Sequence, residues 1–427
     1  MTMLRLKLHW QILIALLLAV IAGSLVGADA SLFGVRYVQV FDFFGALFMN
    51  ALKLVIVPLI LSSVITGIAA AGQSRDFGRL GLKTFLYYVS TSLIAIVIGL
   101  VLVNWIEPGY IDGAPARDHI GLTGDTAQIT ARAEAHDSSE LADVFLRLVP
   151  PNIVAAAAQG EMLGLIVFSL LFGYIATRIA EPYAGYVQGF WKGVFEIMVL
   201  ITEWVMKFAP LGVFALVAKV VATTGLRAVE PLLAFVLTVL AGLAVHFLIV
   251  LPTLLLLVAR VNPLRHYQAM APALLTAFST ASSSATLPVT LECVERRAGV
   301  SHRTTSFVIP LGGSINMDGT GLYECAAALF IAQAYGVDLS TSQQFTVVLL
   351  ALLTSVGVAG IPAASLVAIA IILSAVGLPL EAVGLILAID RPLDMCRTAV
   401  NVYSDSCCAV IVGATEGETG ILKGRDS

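Results

Sequence analysis

The sequence predicts an all-α integral membrane protein, and three observations carry that prediction. Apolar residues make up 59% of the 427 and charged residues only 12%, against about 25% charged in a water-facing domain. Mean hydropathy is +0.94. Apolar runs recur along the whole chain, many with the roughly 20 residues that a spanning helix needs. The formal charge of −4 excludes a nucleic-acid partner held by bulk electrostatics. Cys293, Cys325, Cys396, Cys407 and Cys408 lie in or beside apolar runs with no C-x-x-C pair, and the histidines are scattered without ligand spacing. The cysteines therefore read as packing residues rather than a disulfide frame or a metal site.

The first run, 11–27, follows Arg5 and Lys7 and precedes Ala28-Asp-Ala30, which imitates a signal peptide with a cleavage site. The number of runs behind it favours an uncleaved first span. Those runs are 37–71, 80–105, 141–179, 186–221, 231–258, 269–294, 306–335, 345–376 and 382–412. Several are longer than one vertical crossing requires, so they must tilt, kink or re-enter. Arg5 and Lys7, then Arg75, Arg79 and Lys83, then Arg260 and Arg265, then Arg296, Arg297 and Arg303, then Lys423 and Arg425 would share one side. The positive-inside rule makes that side, and both termini, cytoplasmic. The alternation holds only if two segments re-enter instead of crossing. The polar stretch 107–140 reads as a flexible external loop without chemistry, and the tail beyond 413 is short and polar.

Chemistry concentrates in the second half. Ser279-Thr-Ala-Ser-Ser-Ser284 and Ser355-Val-Gly-Val-Ala-Gly-Ile-Pro-Ala-Ala-Ser365 interrupt apolar segments. Irregular backbone at membrane depth is tolerated only inside protein or along a water-filled cavity, and paired breaks of this kind point to a transporter site. The competing reading is close helix packing through small residues. Asp390, Asp394, Arg397, Thr398, Asn401 and Asp405 fall on one helical stripe. A charge at the bilayer centre costs about 2.5–3.5 kcal/mol even on the lenient insertion scale. Such a stripe faces a bundle interior and a ligand, or is an internal Asp–Arg pair. Arg397 can clamp a carboxylate, and Asp394, one turn away, can take an ammonium. Asn316-Met-Asp318 adds a carboxylate and exposed carbonyls at a break, which suits a hard cation at Asp318 and Asp405.

Ser282-Ser-Ser-Ala-Thr-Leu-Pro288, Asn316-Met-Asp-Gly-Thr320, Gly357-Val-Ala-Gly-Ile-Pro362 and Leu393-Asp-Met-Cys-Arg-Thr-Ala-Val-Asn401 together resemble the signatures of the glutamate transporter family, the dicarboxylate/amino acid:cation symporters. The resemblance implies eight transmembrane helices plus two re-entrant helical hairpins, an elevator fold assembled as a homotrimer in the plasma membrane (the inner membrane if the source is bacterial). It implies a scaffold of residues 1–79 and 141–224, an extracellular loop at 106–140, a moving transport domain of 80–105 and 229–416, and a cytoplasmic tail at 417–427. It also implies a transporter rather than an enzyme, with no cofactor, working on acidic amino acids with sodium as coupling ion and a proton as the alternative.

Carried over motif by motif, the substrate site would comprise Ser283, Ser284, Thr320, Gly360, Asp394, Arg397, Thr398 and Asn401. One sodium site would use Asp405 with backbone oxygens of Gly312, Asn316 and Asn401. A second would use Asp318, the Asn316 side chain, Tyr88, Thr91 and Ser92. A third would use backbone oxygens at Ser314, Ser355, Val356 and Val358. The chain departs from the family at Ala281 and Met395, where an arginine stands in one branch or the other, and at Val358, often threonine. Arg391 lies nearby, on a face expected to be rotated away from Asp394. Proton-coupled relatives tend to lose the acidic residue matching Asp405, so its presence favours sodium, while Glu324 is a candidate proton carrier.

Two other classes fare worse. An intramembrane hydrolase could use the serines, but no histidine or lysine lies in the second-half motifs to act as base. A pure channel would need a ring of carbonyls or charges, which an Arg beside an Asp does not make. A C4-dicarboxylate carrier is the nearest rival, and Asp394 discriminates, since a dicarboxylate has no ammonium.

Overall fold

The computed structural model describes residues 8–27, 29–32, 34–72, 79–117, 146, 148–159, 162–224, 229–357 and 364–422. In chain order the helices are α1 Leu8–Val26, α2 Tyr37–Gly72, α3 Arg79–Ile106, α4 Ile153–Gln159, α5 Met162–Ala176, α6 Tyr183–Lys207, α7 Ala209–Thr224, α8 Val229–Val245, α9 Leu251–Leu254, α10 Pro263–Thr280, α11 Ser283–Glu292, α12 His302–Ile315, α13 Asp318–Tyr335, α14 Thr341–Gly357, α15 Ala364–Ala375 and α16 Val383–Thr415. Two hairpins of two-residue strands, Ser31–Leu32 with Val35–Arg36 and Tyr110–Ile111 with Ala114–Pro115, are the described strands. The second hairpin lies in the stretch read from sequence as a loop, and Gly109 N donates to Gln333 Oε1 beside it. The rest of that loop, 118–140, lies outside the described residues.

Helices α1 and α2 pack on α7, and α2 also on α5 and α6. Helix α3 packs along α13, while α10, α12 and α13 surround α16. Small residues make these approaches possible. A Cβ at Gly99 would sit 2.8 Å from Leu322 O, and one at Gly319 would sit 2.9 Å from Arg397 O. Helix α13 is buried along nearly its whole length.

Among the described residues, Arg79–Ile106 and Pro231–Ala259 are long and apolar enough to cross a membrane, and Tyr183–Val205 with Ala209–Thr223, bent by 52°, makes a third when the pair is counted as one span. Helix α16 is longer, at 33 residues, but it carries Asp390, Arg391, Asp394, Arg397 and Asp405. Its own polar stripe removes it from a purely apolar count.

The breaks fall where side chains compete with the helix ladder. Helix α10 ends at Ala281, left-handed at φ 48°, and Ser282 caps α11 by accepting from Ala285 N. Helix α12 stops at Asn316, extended at ψ 96°, and α13 restarts at Asp318. Helices α14 and α15 pack together; residues 358–363 between them, with the candidates Val358 and Gly360, lie outside the described residues. After α8, the π turns His246–Val250 and Leu255–Ala259 interrupt the same rod. A π turn leaves a backbone carbonyl free, and Phe247 O accepts a hydrogen bond from Tyr267.

The C-terminal segment closes over one end of this group. Arg79 forks onto both oxygens of Glu416, at 3.0 and 2.9 Å, and Lys83 Nζ reaches the same carboxylate at 2.6 Å. Glu418 accepts from Ser301 N and Ser301 Oγ at 2.8 and 2.6 Å, and Leu422 N donates to Ala298 O. The tail read as merely short and polar is thus docked as far as Leu422.

Candidate functional site

The α12–α13 break brings Asn316 and Asp318 against α16 and α3, all deeply buried. Ser92 Oγ donates to Asp318 Oδ1 at 2.7 Å and Ser404 Oγ to Asp318 Oδ2 at 2.6 Å. Asn316 Nδ2 donates to Ser404 Oγ at 3.0 Å and to Asp405 Oδ1 at 2.8 Å, so one amide links the two carboxylates. Asn316 Oδ1 is buried without a hydrogen-bond partner. Gly312 lies so close to Asp405 that a Cβ there would press on its carboxylate and sit 2.6 Å from Tyr88 OH. Among the described residues no three of His, Cys, Asp and Glu gather as they would round a transition metal. The grouping is one of carboxylate, amide and hydroxyl oxygens, the donors that hard cations take.

The other cation candidates sit less directly. Tyr88 OH donates to Val308 O at 2.8 Å. Thr91 is buried, with its hydroxyl on Tyr87 O of its own helix at 3.0 Å, and Ser355 Oγ likewise turns back to Leu352 O at 2.8 Å. Gly312 O accepts from Asn316 N. Ser314 lies in the last turn of α12 and Val356 in the last turn of α14.

His246 is the residue that sequence reasoning missed. It is fully buried at the start of the first π turn, and its Nε2 lies 2.9 Å from Asp318 Oδ2. The available signal was its position: an ionisable side chain inside an apolar run is a functional candidate by default.

Further along α16, Arg397 is 1% exposed and stacks 3.8 Å over the Tyr323 ring. Its Nη2 donates to Asp390 Oδ1 at 2.8 Å and lies 3.2 Å from Asp394 Oδ1. The internal Asp–Arg pair weighed from sequence is therefore present. It leaves Arg397 Nε and Nη1 buried without hydrogen-bond partners. Asn401 accepts from Gly319 N at 2.8 Å and donates to Thr320 Oγ1 at 3.1 Å, which joins α16 to α13. Thr398 is buried beside Arg397, and Ser283 is buried and Ser284 exposed at the first turn of α11.

The expectation for Arg391 was wrong. Its Nη1 lies 3.3 Å from Asp394 Oδ2, and its Nη2 donates to Thr280 O at 3.4 Å. A three-residue offset on a helix is a neighbouring position, and the long side chain covers the remaining rotation.

A sequence profile described as the sodium:dicarboxylate symporter family matches residues 8–415. The chain belongs to this family. It is 36% identical over 421 residues to the proton/sodium-glutamate symport protein of Geobacillus stearothermophilus, covering 99% of this chain and 97% of that protein. It is 36% identical to the proton/glutamate-aspartate symporter of Escherichia coli (strain K12), with 96% and 93% covered. It is 37% identical to excitatory amino acid transporter 3 of Mus musculus, with 94% and 84% covered. As a member of this family the chain is a membrane transport protein, and the named relatives carry glutamate, aspartate or excitatory amino acids in their names.

Proposed function

We propose that the chain is a secondary active symporter that imports aspartate and glutamate with sodium ions. The observation that carries this reading is Arg397, buried to 1% exposure with two guanidinium nitrogens left without hydrogen-bond partners, at the middle of a polar stripe. Buried donors without partners are costly, and a substrate carboxylate is the ligand that relieves them. Asp394, one turn away, takes the α-ammonium. Ser283, Ser284, Thr320, Gly360, Thr398 and Asn401 complete the site.

Cations bind below it. Asp405 with carbonyls of Gly312, Asn316 and Asn401 forms one seat. Asp318 with Asn316, Tyr88, Thr91 and Ser92 forms another, supported by the Ser92–Asp318 bond and the unpartnered Asn316 Oδ1. Carbonyls at Ser314, Ser355, Val356 and Val358 form a third as the gate, the second hairpin, closes. Ions that bind better to the closed gate than to the open one supply the coupling free energy. Residues 80–105 and 229–416 then move as one body against a trimeric scaffold of 1–79 and 141–224, with both termini cytoplasmic.

Proton coupling is the second reading. It is favoured by the buried Glu324, to which Thr354 Oγ1 donates at 2.7 Å, and by one relative named for proton and sodium and another named for proton alone. The deciding experiment is radiolabelled L-aspartate uptake into proteoliposomes under a sodium gradient and then a proton gradient, with succinate as competitor. Sodium-driven uptake resistant to succinate is expected. Uptake driven only by protons would overturn the sodium assignment. Absent aspartate uptake, with labelled succinate taken up instead, would make the protein a C4-dicarboxylate carrier.

A further inference from the structure

The carboxylate of Asp394 is held on both sides. Arg397 takes Oδ1 at 3.2 Å and Arg391 takes Oδ2 at 3.3 Å. An arriving ammonium must compete with one of them. Arg397 cannot leave easily, being 1% exposed, bonded to Asp390 at 2.8 Å and stacked on Tyr323. Arg391 is 30% exposed, its two contacts are long, and its Nε has no hydrogen-bond partner. It is the partner built to let go.

What Arg391 releases besides Asp394 matters. Its other contact is Thr280 O, the last residue of α10, immediately before the left-handed Ala281 and the Ser282 cap that begins α11. One guanidinium thus bridges α16 to the tip of the α10–α11 pair across 111 residues of sequence.

We propose that Arg391 is an internal stand-in for the substrate ammonium: it occupies Asp394 until an amino acid arrives, and tethers the α10–α11 tip while it does so. The proposal rests on the reading of Asp394 as the ammonium site. Displacement of Arg391 by an α-amino group frees the tip. A dicarboxylate, having no ammonium, leaves Arg391 in place and benefits from the charge it neutralises. Arg391 therefore sets the preference between amino acids and dicarboxylates from outside the set of groups that touch substrate.

The opposite signs make this testable. Binding of L-aspartate and of succinate would be measured calorimetrically on the intact protein in nanodiscs at saturating sodium, for wild type, Arg391→Gln and Arg391→Lys. A partly exposed ion pair of this kind is weak, so Arg391→Gln should tighten aspartate by about three- to fivefold. Succinate should weaken or stay unchanged. Arg391→Lys keeps a charge for Asp394 but has one nitrogen where the guanidinium uses two, so its aspartate-to-succinate ratio should match wild type. A shift of both ligands in the same direction, or an unmoved ratio in Arg391→Gln, would overturn the stand-in role.

Hydrogen exchange at the amides of residues 282–286, in ligand-free protein, gives a reading that needs no substrate. It should be faster in both variants, because both lose the Thr280 tether. Unaltered exchange would overturn the tether. Wild-type protein that binds no acidic amino acid would sink the proposed function instead, and the exchange result would still decide the tether.

Discussion

Gly312→Ala is the substitution that most directly tests the proposed cation site. The new methyl would press on Asp405 Oδ1 and lie 2.7 Å from Asp405 Cγ and 2.6 Å from Tyr88 OH. Neither neighbour is free to retreat. Asp405 Oδ1 accepts from Asn316 Nδ2 at 2.8 Å, and Tyr88 OH donates to Val308 O at 2.8 Å. Overpacking a fitted site costs about 1–3 kcal/mol. With tenfold per 1.4 kcal/mol, that is about 5- to 150-fold in sodium affinity if the strain falls on the carboxylate. The assay is the sodium dependence of aspartate uptake in proteoliposomes. Gly313→Ala is the matched control, since a Cβ there meets nothing within 4 Å. The expected result is a raised sodium requirement in Gly312→Ala and none in Gly313→Ala. Equal behaviour of the two variants would show that the Gly312–Asp405 approach has nothing to do with the ion.

Arg397→Ala should abolish aspartate binding and lower the melting temperature as well, because Asp390 loses its 2.8 Å partner and unpaired buried charge is strongly destabilising, by about 3–5 kcal/mol. The double variant Arg397→Ala with Asp390→Asn should recover melting temperature without recovering binding in calorimetry; wild-type affinity in the double variant would refute the substrate role. At the docked tail, Arg79 and Lys83 hold the Glu416 carboxyl down at about 2 from an ordinary 4.5. A depressed carboxyl stabilises the fold above its ordinary value and loses that contribution as pH falls. The difference in thermal midpoint between wild type and Glu416→Gln should therefore be full near neutrality and should close as pH drops from about 4.5 towards about 2. A gap independent of pH would refute the ionic clasp.

What could be read from sequence was what lies along one helix. The stripe from Asp390 to Asp405 follows from a 3.6-residue period alone, and α16 runs unbroken through it, Pro392 included. The breaks at Ala281 and Asn316 were legible because Ser and Asn side chains compete with the backbone for hydrogen bonds. Contacts between helices were not legible. His246 meets Asp318 across 72 residues and Arg391 meets Thr280 across 111, and periodicity fixes no helix's rotation against its neighbour. Glu416 was hidden for a related reason: a short polar tail reads as solvated until its partners on α3 are placed opposite it.

The continuity of α16 has a consequence for how this protein can vary. At 1.5 Å per residue, Asp390 and Asp405 stand about 22 Å apart on one rod, with Arg397 and Asn401 on the turns between. A substitution on one turn leaves the position of the others untouched, so the group at position 397 can change while Asp405 keeps its bond to Asn316. A single inserted or deleted residue between Arg397 and Asp405 would instead rotate everything beyond it by about 100° and carry Asp405 and Ser404 off Asn316 and Asp318 together. This helix can change the side chain on each turn, but it cannot change their spacing and still keep Ser404 and Asp405 on Asp318 and Asn316.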